Sequence, residues 1–340
     1  MPIRSYLARM AKLAFHHGGL AHLARACLAG RASILRYHSV STPADGTHLC
    51  LDPGLAVTPL DFDRQCTYLK AHYQVISLDE MVSRVAAGKT LPPRAVALTF
   101  DDGYLDNYTQ AFPILSRHGL PATFYVTTGC IDNRSILWTG LLRFIIFRTQ
   151  VAAIETQRPR AFHLPVKTQA ERTAAFTRLV ITMKNIPTAE RLALLESVRE
   201  AAQMNDLSPL GGIMMTWAQV REMHQAGMSF GAHTITHPNL PNATLAEARA
   251  EIIGSRDHLS EQLGQRVRHF SYPNGRGSAH LTDAIKDLVR DADFDSATTS
   301  ITGSVVAGDD VYALKRIGIY NRHGALPEFT LDIERGKVGA

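Results

Sequence analysis

Short β-rich runs at residues 33–37, 73–77, 95–100, 122–127, 228–232, 267–272, 296–299 and 314–320 alternate with helical patterns at 60–72, 107–118, 245–263 and 278–291. This βα alternation predicts an α/β barrel or open α/β sheet, which assembles its chemistry at the strand ends. Several polar residues suited to catalysis fall there. Residues 131–215 interrupt the rhythm with helical patterns at 136–147, 170–183 and 189–204, an insertion that reads as a cap or an extra packed layer. Its apolar run from residue 141 to 147 is too short to span a bilayer and predicts buried packing. Trp138 reads as a core anchor, with a sugar platform as the alternative.

The chain has 340 residues, 45% apolar and 20% charged, which excludes collagen, coiled coil and wholesale disorder. Residues 1–36 carry Arg4, Arg9, Lys12, Arg25, Arg31 and Arg36 with no acidic residue, so of the net +5 the remaining chain holds −1. A body without excess positive charge offers no nucleic-acid footprint. The segment 1–30 is expected to be a basic amphipathic arm, with Leu20, Leu23, Ala24, Cys27 and Leu28 on one stripe for the protein or for a membrane surface or partner. His16, His17, Gly18, Gly19, His22 and Arg25 interrupt its apolar stretch, which argues against a secretory signal and for a cytoplasmic protein, peripheral at the inner membrane surface if the arm binds lipid. The four cysteines, Cys27, Cys50, Cys66 and Cys130, are too widely spaced for a metal knuckle and read as inert thiols.

Two motifs carry chemistry. Asp101 and Asp102 leave the apolar strand 95–100 together, with Gly103 allowing a sharp turn. His233 and His237 follow another short strand, four positions apart, and one helical turn would set their Cα atoms about 6 Å apart along its axis. A carboxylate and two imidazoles at different strand ends suggest a metal site with positions open for water and substrate.

Taken in order, TFDDG at 99–103, HTITH at 233–237 and RHFSYPNG at 268–275 resemble the three motifs of the polysaccharide deacetylase family, the carbohydrate esterases built on the NodB homology domain. The resemblance runs from about residue 34 to 319. It implies a distorted, TIM-like (β/α) barrel of seven strands with a helical insertion, a catalytic domain at 31–325 and a tail at 326–340. It also implies Asp102, His233 and His237 as metal ligands and Asp101 as the base that deprotonates water on the ion. Zinc suits these ligands first, and nickel, cobalt or manganese also fit.

The same resemblance gives Arg268 the orientation of Asp101, with a structural ion pair as the alternative, and makes the Tyr272 backbone N–H a donor to the oxyanion. Asn274 reads as turn chemistry and Tyr104 as a wall of the sugar site or packing beside the turn. The late leucine motif, where many members carry the general acid, here reads Leu314-Lys315-Arg316-Ile317-Gly318-Ile319 without a histidine. His38 follows the first strand in a Tyr-His pair that resembles the exopolysaccharide deacetylase subgroup, and is expected to supply the proton; His323 is the weaker substitute. The implied activity is removal of N-acetyl groups from a hexosamine in a glycan. An O-acetyl esterase, a small-molecule amidase and a non-catalytic glycan-binding protein are the rivals.

Overall fold

The computed structural model describes residues 30–133, 135–275, 277 and 280–338. The arm expected at 1–30 therefore lies, apart from Gly30, outside the described residues, and Cys27 with it. In chain order the strands are β1 (Ser33–Tyr37), β2 (Ser39–Val40), β3 (Ala56–Val57), β4 (Gln74–Val75), β5 (Ala95–Phe100), β6 (Thr123–Val126), β7 (Ala153–Thr156), β8 (Phe162–Pro165), β9 (Ser229–Ala232), β10 (His269–Ser271), β11 (Ser296–Thr298) and β12 (Ile317–Gly318). Seven of them form a curled parallel half-barrel in the order β11-β10-β9-β6-β5-β1-β12, and β4 adds to the first residues of β5. A parallel bridge from Thr298 to Leu314, just ahead of β12, links the two ends of the curl.

Strand β5 shows why this sequence makes a central strand. All six of its residues are buried, as expected where a parallel sheet is covered on both faces. Val96, Leu98 and Phe100 join the main core, while the small Ala95 and Ala97 fit the tighter cluster on the opposite face. Phe100 stacks on Tyr37 and Phe124 at centroid distances of 5.2 and 4.7 Å, tying three neighbouring strands together. Burial of such a ring contributes roughly 1.5–3 kcal/mol.

Elsewhere the boundaries tighten for local reasons. The helix expected at 278–291 begins at Asp283, where the Thr282 hydroxyl accepts from the Ile285 N–H. That at 107–118 opens with a π-turn, Asn107–Ala111, before α-helix Phe112–His118. The segment read as a tail holds helix Leu326–Val338, whose Phe329 and Ile333 are fully buried against the barrel. Cys50, Cys66 and Cys130 are free and buried, and burial pushes each thiol up to about 12.

The insertion has its own core. Leu142, Ile145, Leu179, Met183, Leu194 and Val198 join helices Trp138–Arg148, Gln169–Lys184 and Thr188–Ala201. It also contains the antiparallel hairpin β7–β8, which the helical reading of this region did not include. Ile154 and Leu164 are the apolar residues these four-residue strands bury, too few for a period-2 signal. Among the described residues no helix is long and apolar enough to cross a membrane.

Candidate active site

Asp101 and Asp102 leave β5 in different directions. Asp101 continues the ladder, its N–H donating to the Tyr37 carbonyl at 3.0 Å. Asp102 and Gly103 then turn through left-handed φ values of 83° and 90°. A Cβ on Gly103 would stand 3.2 Å from Ile131 and 3.3 Å from Val126, so both the conformation and the space call for glycine.

The turn brings Asp102 Oδ1 to 3.5 Å from His233 Nε2 and 3.6 Å from His237 Nε2. One ligand atom from each residue falls within 4.8 Å of the others. Nδ1 of His233 lies 2.7 Å from the Ser271 carbonyl, an acceptor, so it carries the proton and leaves the Nε2 lone pair facing the cluster. Burial pushes His237 down to about 3 against the pull of Asp102, so its ring is neutral. Two imidazole lone pairs and an ionised carboxylate oxygen around one point fit a divalent ion.

The histidine pair does not sit on the helical turn its spacing suggested. It spans a loop in which Thr234 and His237 take φ values of 65° and 55°. Glu251 fastens that loop: its Oε2 accepts from Ile235 N at 2.7 Å and Thr236 N at 2.9 Å, and Oε1 from the Thr236 hydroxyl at 2.5 Å. The insertion braces the same loop, since Trp138 Nε1 donates to the His237 carbonyl at 3.0 Å and Asn239 Nδ2 to the Lys184 carbonyl at 3.0 Å. Trp138 is thus a buried anchor.

Asp101 stands apart from the three-residue cluster, gripped by Arg316. The two guanidinium nitrogens Nη1 and Nη2 donate to Oδ1 and Oδ2, each at 2.7 Å, and both side chains are buried. Arg316 is itself fixed by the Thr299 carbonyl at 2.8 Å and the Ser271 hydroxyl at 2.9 Å. Burial alone would raise the Asp101 pKa; Arg316, with help from His233, outweighs it and holds the carboxyl well below its ordinary value.

This corrects the expectation for Arg268. Its guanidinium pairs with Asp295 at 2.6 Å and Asp79 at 2.8 Å, half exposed. Strand alternation explains the difference: Ser271 points to Arg316, so Phe270 and Arg268 take other sides of β10. The Tyr272 expectation is corrected as well, because its N–H is spent on the Thr298 carbonyl at 3.1 Å. Two positions on, Asn274 has φ 65° and a buried Nδ2 in the cleft wall with no partner among the described residues.

His38 reaches the cleft with a buried, unpartnered Nδ1. Asn107 of the π-turn donates to its carbonyl at 2.9 Å, and Asp106 holds the following segment through Val40 N at 2.9 Å and Ser39 Oγ at 2.8 Å. Burial pushes His38 down to about 4, opposed by Asp102. His323 is elsewhere: it is fully buried, with Nδ1 accepting from Tyr320 N at 2.7 Å and Nε2 2.7 Å from Asp332. The whole cleft encloses about 390 Å³ and is lined also by Tyr104, Tyr272, Arg36 and residues of the insertion.

A parallel half-barrel whose mouth holds a His, His, carboxylate cluster beside a second, separately held carboxylate has the form of a hydrolase with a candidate metal centre. The model of the polysaccharide deacetylase family matches residues 88–292, more than half of the chain, and the chain belongs to that family, whose members are generally metal-dependent hydrolases of acetylated polysaccharide. It is 21% identical over 287 residues to YxkH of Bacillus subtilis strain 168, a protein carrying the family's name, covering 84% of this chain and 70% of that one. It is 36% identical over 88 residues to the poly-β-1,6-N-acetyl-D-glucosamine N-deacetylase of Staphylococcus epidermidis, a match spanning 26% of this chain and 30% of that relative. Its fold is similar to that of the Streptococcus pyogenes deacetylase PplD solved with acetate, with TM-score 0.58, 22% identity and coverage of 89% and 97% of the two chains.

Proposed function

We propose that this chain is a divalent-metal-dependent N-deacetylase acting on an acetylated hexosamine in a glycan, with zinc as the first candidate ion. The observation that carries the reading is the division of labour between neighbouring carboxylates: Asp102 faces the two histidines, and Asp101 faces Arg316. The sugar class is supported by the partial match to an N-acetylglucosamine deacetylase.

Asp102, His233 and His237 would hold the ion. A divalent ion held there would lower the pKa of water and withdraw charge from a carbonyl oxygen, which suits a base as weak as Asp101. Both Asp101 oxygens accept from Arg316, and each keeps a second lone-pair direction for the proton of the attacking water. As the new C–O bond forms, the Asn274 side-chain N–H donates to the developing oxyanion in place of the committed Tyr272 N–H. The C–N bond then breaks, its electron pair returns to nitrogen, and His38 delivers a proton there. With its pKa pushed down to about 4, His38 is neutral at rest, so the proton it delivers is the one Asp101 took from the attacking water, passed to His38 after the C–O bond forms, which returns Asp101 to its carboxylate.

The test compares matched N-acetylated and O-acetylated oligosaccharides, with acetate quantified and products mapped by mass. N-acetyl hydrolysis is the expected result; O-acetyl release alone would make the protein an esterase. His38→Ala is expected to lower amide cleavage at least 100-fold, within the range of about 10²–10⁴ for a general acid, and ester cleavage far less, because an alcohol leaves more readily than an amine. Equal, small losses on both substrates would remove His38 from this role.

A further inference from the structure

The insertion reaches past the histidine loop into the cleft itself, lining it with Thr139, Arg143, Phe176, Val180 and Lys184. Arg143 is the distinctive member. Its guanidinium carbon lies 4.4 Å from the Phe147 ring centre and 5.9 Å from that of Phe176, and the two rings meet edge to face at 6.0 Å. Aromatic faces thus hold the planar cation without neutralising it. Among the described residues no carboxylate pairs with Arg143, and Asp52 on the same cleft wall acts on it only through longer-range attraction.

The charge balance of the cleft makes this cation informative. Asp101 is already neutralised by Arg316, and Asp102 faces the candidate metal ligands. With a divalent ion in place, among the described residues Arg36 and Arg143 stand against Asp52 on the remaining wall. A homopolymer of amino sugars becomes cationic as acetyl groups leave and would be repelled by such a wall. A glycan bearing acidic groups would be drawn in, because guanidinium recognises carboxylate and phosphate by paired, charge-assisted hydrogen bonds.

We infer that Arg143 forms a subsite for an anionic substituent, a carboxylate or a phosphate, on the acetylated glycan; this rests on the deacetylase reading above. The subsite assigns the insertion a role in choosing substrate, in addition to bracing the histidine loop.

The experiment measures calorimetric binding of three probes to the metal-loaded, full-length His38→Ala protein, a form intended to leave the probes intact and the Asp101–Arg316 charge balance unchanged. The probes are a tetrasaccharide alternating N-acetylglucosamine and glucuronate, N-acetylglucosamine 1-phosphate, and a neutral N-acetylglucosamine tetrasaccharide. At low salt at least one anionic probe should bind about tenfold more tightly than the neutral one, and added salt should narrow the gap. The tighter of the two identifies carboxylate or phosphate. Arg143→Gln in the same background should bring the ratio near one, and Arg143→Lys should keep part of it. Neutral binding equal to or tighter than both anionic probes, or an Arg143→Gln loss shared equally by all three, overturns the subsite. The salt response of the Arg143 protein gives a readout that does not depend on how its variants fold. Acetate release by the wild-type protein is scored separately: selective anionic binding without release upholds the subsite and contradicts the deacetylase reading.

Discussion

Replacing Arg316 with methionine is expected to destabilise the protein by about 3–5 kcal/mol, because it leaves the buried Asp101 carboxylate without its partner. The pair itself need not stabilise the fold by that amount. Desolvating two ions offsets most of their attraction, so the double variant Arg316→Met with Asp101→Leu should recover much of the loss. The pH dependence gives a second readout. In the wild-type protein burial raises the Asp101 pKa, but the Arg316 pair, with His233, lowers it further than burial lifts it. A carboxyl whose folded pKa is depressed contributes stability that is present above its unfolded value of about 3.9 and is lost as pH falls through the folded value. That window therefore lies below about pH 4 in the wild type. Without Arg316, burial loses its main opponent and the folded pKa climbs, so the acid loss of stability from Asp101 shrinks and turns into a gain once the folded value passes the unfolded one, while the acid limb of activity moves to higher pH. Denaturant unfolding at several pH values and a pH–rate profile measure both. A variant within 1 kcal/mol of wild type at neutral pH, with an unmoved acid limb, would show that Asp101 does not depend on this pair.

The second large effect concerns the three-residue cluster. His233→Ala removes a ring whose Nδ1 is fixed by the Ser271 carbonyl and whose Nε2 faces Asp102. Loss of an outer partner of a metal ligand typically costs 10–100-fold in affinity, so loss of the ligand itself should cost more than about 100-fold. Titration against a chromophoric chelator measures this without relying on activity. Acetate release should fall with it, and restoring the ion at high concentration should recover only part. A zinc affinity in His233→Ala equal to wild type would show that the cluster is not the metal centre.

What could be read from the sequence, and what could not, follows from distance along the chain. The strand at 95–100 was legible because a strand buried on both faces is a continuous apolar run, and Asp101-Asp102-Gly103 marks its end. The histidine pair was legible as a ligand spacing, but not as a loop: its geometry is imposed by Glu251, fourteen positions beyond His237, and by Trp138 of the insertion. Arg316 was missed because 215 residues separate it from Asp101. A signal was nevertheless present, since an arginine inside the apolar run Ile317-Gly318-Ile319 and Leu314 must find a buried anion. Arg268 drew the assignment by motif position, yet the two-residue alternation from Ser271 argues against it. The fate of the Tyr272 N–H depended on pairing between β10 and β11, which one strand's sequence does not specify. Likewise, the helical periodicity of the insertion located its helices without saying which of their faces would meet the cleft.

The proposed mechanism gives two adjacent carboxylates separate duties, Asp102 toward the ion and Asp101 toward the proton. The most direct measurement is metal content and acetate release, on one preparation, of the wild-type and Asp101→Asn proteins with an N-acetylated oligosaccharide. Asp101→Asn is expected to retain the ion at wild-type stoichiometry while acetate release falls by about 10²–10⁴. Loss of the ion in Asp101→Asn, or acetate release within a few-fold of wild type, would contradict that mechanism.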